Sequence, residues 1–213
     1  MISPHFPDDK LDNPSFDDLV DVFEDRVRWW ILEPARVLLQ VDYGFVAAMS
    51  LLVSYFEAYQ MYRTGQDSKG RSKALFRKAF ADVFAKANVD AAFRDRLADA
   101  LYEDARCGFF HDGMFRDRIL FSDNFTAEFV VTVPRVAGKP DPTGPIQSIL
   151  INPSSFYRTV EAHFTGYVKA LRDSTNVTIR EAFKLTTETK WSPSTATTIG
   201  MTEGEFTKGG KAT

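Results

Sequence analysis

The chain has 213 residues, 44% of them apolar, a formal net charge of -3 and one cysteine, Cys107. That length fits one domain with a sizeable core. The charge gives no global attraction to polyanions, so any nucleic-acid or acidic-membrane contact must come from a local patch. A single cysteine excludes an intramolecular disulfide, and no Cys/His spacing suits a zinc site, so no metal and no cofactor is expected.

The start, Met1 to Asp9, has neither the basic opening nor the apolar run of a signal peptide, and residues 1–14 are expected to form a loose arm. Phe45 to Phe56, the longest apolar stretch, is interrupted by Ser50 and Ser54 and is too short to span a bilayer. A soluble, cytoplasmic protein without membrane contact is the expectation.

Ser15 is placed to cap an amphipathic helix over Phe16 to Leu32, with Asp17 and Asp18 at its positive end. Glu33-Pro34 should bend or end it. Trp29 and Trp30 are adjacent, so one is expected in the core and one at a partner surface. A second helix from Tyr43 to Arg63 has a broad apolar stripe and little charge, which suits a central or interface position. After a polar loop, a third helix is predicted over Ser72 to Ala87. A fourth runs from Asp90 to Ala105, with Asn88 as a candidate cap.

Beyond Gly113 the pattern becomes strand-like at Ile119-Leu120-Phe121 and Phe125 to Val133. Ile146 to Ile151 reads as the partner strand across a turn-rich loop. The economical arrangement is a small β-hairpin inserted before a last helix that starts at Asn152-Pro153 and runs to Arg172. From Ser174 the apolar pattern fades, and 174–213 is expected to be a polar, flexible tail. The fold class is therefore mostly α: a helical bundle over residues 15–173 with a small β insertion.

Chemistry concentrates in Arg106-Cys107-Gly108-Phe109-Phe110-His111. Arg presents a permanently charged fork matched to phosphoryl oxygens. His exchanges protons near neutral pH. Together they suffice for cleaving an RNA phosphodiester without metal. His assists attack by the 2′-hydroxyl on the adjacent phosphorus, Arg stabilises charge on the phosphoryl oxygens, and a 2′,3′-cyclic phosphate remains. Residues five apart lie about 140° apart on a straight α-helix. Convergence of Arg106 and His111 thus requires a turn or kink, for which Gly108 is the natural place. The plainer alternative is that Arg106 pairs with Glu103 or Asp112 while His111 caps the helix end. Glu103, Asp104 and Asp112 are the candidate supporting acids. Arg63, Lys69, Arg71, Lys73, Arg77 and Lys78 form a basic stretch that could track an RNA backbone or merely be solvated. Cys107 is read as a packing residue rather than a redox thiol, and His163 as a satisfied, partly buried histidine.

The Arg106-to-His111 segment resembles the R-x4-H form of the motif that marks the HEPN superfamily. The surrounding Leu-Tyr-x-x-x-Arg-Cys-Gly-x-x-His-x-Gly wording carries the same resemblance. So do the preceding helices and the later Ile149-Leu150-Ile151-Asn152-Pro153. It covers roughly Tyr43 to Leu171. It implies an all-helical domain working as a homodimer, with Arg106 and His111 as the catalytic pair in a cleft between protomers. RNA would be the substrate, and a toxin or phage-defence role, with an antitoxin or other protein partner, would fit. Cys107 departs from the polar residue that often follows the Arg in active members. Some members are catalytically silent, so a non-catalytic module binding RNA or protein is the alternative.

Overall fold

A computed structural model describes residues 2–87, 89–191 and 204. The first helix, α1 (Phe16–Val27), opens on the expected signal. The Ser15 hydroxyl accepts from the Asp18 amide at 3.2 Å, and the Asp18 carboxylate accepts from the Ser15 amide at 2.9 Å. This reciprocal pairing satisfies two amides that the helix itself cannot. Ser15→Ala is expected to lower stability by about 1 kcal/mol in urea unfolding; an unchanged midpoint would mean the cap contributes nothing.

Pro34 does not end the helix. Residues Arg28–Leu32 form a π turn, closed by the Glu33 amide on the Arg28 carbonyl, and α2 (Glu33–Leu38) continues from it. A proline ring collides with the carbonyl four residues back in a regular α-helix, and the wider turn relieves that collision. Both tryptophans stay half-exposed, Trp29 beside the His5 ring and Trp30 under the Arg26 guanidinium. The expected division between core and surface is therefore corrected.

The helix α3 (Phe45–Thr64) is central, packing against α2, α4 (Ser72–Val83), α6 (Pro153–Arg172) and α7 (Val177–Trp191). Asp90 caps α5 (Ala91–Leu101) by accepting from the Phe93 amide. Asn88, the cap considered above, lies outside the described residues. The helix does not stop at Ala105; it runs on as a π-helix over Tyr102–Asp112.

The hairpin is instead a three-stranded mixed sheet in the order β1 (Ile119–Phe121), β5 (Ser148–Ile151), β2 (Phe129–Thr132). Strand β5 pairs parallel to β1 and antiparallel to β2, with Ile149 facing Ile119 on one side and Val131 on the other. Alternation turns Ile149 and Ile151 into the core. A two-stranded ribbon, β3 (Arg135–Val136) and β4 (Lys139–Pro140), fills the connecting loop. Arg96 on α5 anchors this loop by donating to the Thr143 and Gly144 carbonyls.

Two aromatic clusters make up much of the core. Phe56 sits among Phe76, Phe80, Phe84 and Phe156. Phe23 sits among Tyr62, Phe164, Tyr167 and Phe183. The second cluster corrects the first part of the expected tail: residues 177–191 form α7, and Phe183, Thr186 and Thr187 are buried, while the rest of the tail, 192–213 apart from residue 204, lies outside the described residues. The N-terminal arm is likewise part of the fold. Buried Asp25 accepts from the His5 amide at 3.0 Å and lies 2.6 Å from its Nδ1, while Arg26 donates to the Ile2 carbonyl. Among the described residues, no helix is long and apolar enough to cross a membrane.

Candidate functional site

Arg106 and His111 both lie on the π-helix that continues α5. Hydrogen bonds spanning five residues make such a helix wider than an α-helix, so residues five apart lie about one turn from each other. The expected kink at Gly108 is therefore replaced by a change of helical pitch. Gly108 serves another purpose. A Cβ there would lie 2.9 Å from the Met114 carbonyl oxygen, because the chain folds back over the helix and the Arg116 amide donates to the Asp104 carbonyl. Gly113, at φ 76°, ends the helix in the left-handed conformation, its amide on the Phe109 carbonyl.

The Arg106 guanidinium lies over the rings of Tyr102 (5.6 Å) and Phe110 (5.3 Å). One of its amino groups donates to Glu57 Oε2 at 3.1 Å, from the middle of α3. The other Glu57 oxygen accepts from the Ser72 hydroxyl at 2.9 Å. This partly buried pair, with the Arg side chain 25% and the Glu side chain 15% exposed, fixes the guanidinium while leaving most of its donors unused. His111 is exposed and has no hydrogen-bond, ion-pair or ring partner among the described residues. Burial and the adjacent Cys107 thiol push the Tyr102 hydroxyl above its ordinary pKa, so it stays protonated beside Arg106. Cys107 is half-buried and carries a free thiol.

The candidate supporting acids are engaged elsewhere. Glu103 pairs with Lys73 at 2.6 Å, Asp104 lies 2.6 Å from Arg118 Nε, and Asp112 pairs with Arg116 at 2.9 Å. None pairs with Arg106 or His111, because each is held by another cation. Glu57 takes the place assigned to them, and sequence reasoning passed over it. The basic stretch is also partly neutralised. Arg77 grips Asp99 through two hydrogen bonds, Lys73 pairs with both Glu103 and Asp99, and Arg63 lies 3.5 Å from Asp82. Lys69, Arg71 and Lys78 are exposed and make no ion pair among the described residues. Only these three remain fully available to a phosphate backbone.

A separate cleft of about 460 Å³ lies between the end of α4 and α6, with Asp82, Glu128, Arg158 and His163 in its walls. The His163 Nδ1 is 2.9 Å from the Tyr55 hydroxyl, and its ring meets Tyr59 edge-on at 4.5 Å. Burial lowers its pKa to about 4, against a smaller opposing effect of Asp82. In the unfolded chain the same group titrates near its ordinary value of about 6.5. Between those values the unfolded state binds the proton and the folded state does not. The associated stability is complete above about pH 6.5 and is lost as pH falls toward 4. Thermal melts of wild type and His163→Asn across this range should converge at low pH; parallel curves would contradict this assignment.

Among the described residues, no group of three or more His, Cys, Asp or Glu side chains is arranged to hold a metal ion. Comparison with protein-family models, with curated proteins and with solved structures returned no match, so the site is interpreted from its own geometry.

Proposed function

We propose that the protein is a metal-independent endoribonuclease of the HEPN type, acting as a homodimer through Arg106 and His111. The observation that carries this reading is the π-helix, whose pitch sets a tethered, mostly unsatisfied guanidinium one turn from an exposed, unpartnered imidazole. In this mechanism His111 takes the proton from a ribose 2′-hydroxyl as its oxygen attacks the adjacent phosphorus. Arg106, held by Glu57, Tyr102 and Phe110, meets the phosphoryl oxygens as negative charge builds. The leaving 5′-oxygen takes a proton from the imidazolium of the two-fold mate, and a 2′,3′-cyclic phosphate remains. A C2 dimer supplies both imidazoles from one sequence position. A cytoplasmic toxin or phage-defence effector, restrained by an antitoxin or another protein partner, fits such chemistry.

The second reading is a non-catalytic module that binds RNA or protein, and the Arg106–Glu57 pair favours it by giving Arg106 a structural role. Incubating the protein with a mixed RNA pool in EDTA separates the two. Cleavage that disappears in both Arg106→Ala and His111→Ala supports the nuclease. Intact RNA, with the dimer confirmed by sedimentation, supports the binding module.

A further inference from the structure

A row of phenylalanine rings leads away from Arg106 along the surface. Phe110, beneath the guanidinium, meets Phe109 at 5.8 Å, and Phe109 meets Phe115 at 5.6 Å. Phe115 meets Phe121 at the end of β1 at 5.5 Å, and Phe121 meets Phe45 at the start of α3 at 5.0 Å. Phe110 is exposed and the other four are half-buried, with Phe115 and Phe121 also packing against the core, so each ring keeps part of its surface open.

The row ends in a cleft of about 260 Å³ lined by Leu39, Phe45, Phe121, Ser122, Asp123 and Ser154. Pockets for drug-sized ligands run from about 300 to 1,000 Å³, so this one suits a smaller, flat group. Its lining combines apolar and aromatic side chains (Leu39, Phe45, Phe121) with polar ones (Ser122, Asp123, Ser154). The Asp123 carboxylate is exposed and has no hydrogen-bond or ion-pair partner among the described residues.

Resting on the RNA reading above, we propose that this cleft takes an unpaired nucleobase of a single-stranded RNA whose phosphate lies at Arg106 and His111. The base stacks on Phe45 and Phe121, and the strand between crosses the phenylalanine row. A duplex is excluded from the cleft because its bases are stacked and their edges paired. Asp123 accepts from an exocyclic amino group, which adenine, cytosine and guanine carry. Uracil has one ring donor flanked by two carbonyl oxygens that the carboxylate repels, so it is the least suited base.

The test measures binding of wild-type protein to short homopolymeric 2′-O-methyl RNAs, which lack the nucleophile and remain intact, and to a duplex of the same chemistry. Adenine and cytosine strands should bind about fivefold or more tightly than uracil strands, and the duplex most weakly. Asp123→Asn should abolish the preference. Phe45→Leu, which keeps apolar volume but loses the aromatic face, should weaken all single strands about fivefold or more, with an unchanged thermal melt showing it is folded. Equal affinity for every base, or a preference that survives Asp123→Asn, overturns the subsite. The catalytic reading is judged separately, by cleavage of natural RNA in EDTA. Cleavage without base preference leaves the nuclease standing and removes the subsite. Preference without cleavage retains the subsite and favours the binding module, and no RNA binding at all overturns both.

Discussion

Phe183→Ala is expected to destabilise the protein by about 3–5 kcal/mol, a large part of the roughly 5–15 kcal/mol that holds a domain of this kind together. Phe183 is fully buried and meets four rings: Phe16 at 5.7 Å, Phe23 at 5.2 Å, Tyr62 at 5.7 Å and Trp191 at 6.5 Å. These rings belong to α1, α3 and α7, so truncation opens a cavity where three helices meet. The Thr186 hydroxyl, one turn further along, bonds the Met61 carbonyl of α3. Urea unfolding checks the expectation, with Lys184→Ala on the exposed side of α7 as a control that should shift stability by less than about 0.5 kcal/mol. Equal midpoints for the two variants would mean that α7 does not pack as described.

His111→Ala should cut RNA cleavage by about 10²–10⁴-fold, the usual contribution of a positioned proton-transfer group, with almost no change in stability. The imidazole has no partner to lose among the described residues. Arg106→Ala should lower cleavage comparably but also destabilise, by about 1–3 kcal/mol. It leaves the Glu57 carboxylate, 15% exposed, without its cation and uncovers the faces of Tyr102 and Phe110. Single-turnover cleavage and thermal melts of the same preparations measure both quantities. Loss of activity in both variants with loss of stability only in Arg106→Ala separates a catalytic His from a structural one. A His111→Ala protein that cuts as fast as wild type removes His111 from the mechanism.

Much of the helical frame was legible because its signals are local. Ser15 with Asp18, and Asn152 before Pro153, announce α1 and α6 within one turn. The uncharged stripe of α3 marks it as central. The sheet order was not legible, since the parallel pairing of β1 with β5 joins segments nearly thirty residues apart and leaves no short-range trace. The helix α7 escaped because its buried face is largely threonine. Thr186 and Thr187 donate to the Ala182 and Lys184 carbonyls of their own helix, which lets hydroxyls face a core without penalty. At the candidate site, Arg106 and His111 were legible as residue types at a spacing. Their placement was not, because residue types and spacing alone do not distinguish the π pitch from an α pitch. Glu57 did leave a signal. It is the one acid in α3, set within an apolar helix where an unpaired carboxylate would be costly.

The most direct test of the Arg106/His111 chemistry is end-group analysis of an RNA cut by the wild-type protein in EDTA, beside the same RNA carrying a 2′-deoxy sugar at the cut site. The nuclease reading requires 2′,3′-cyclic phosphate ends on the first substrate and no cut on the second, because the 2′-hydroxyl is the nucleophile. Cleavage that survives the 2′-deoxy substitution, or that yields ends other than a cyclic phosphate or its hydrolysis product, would contradict it.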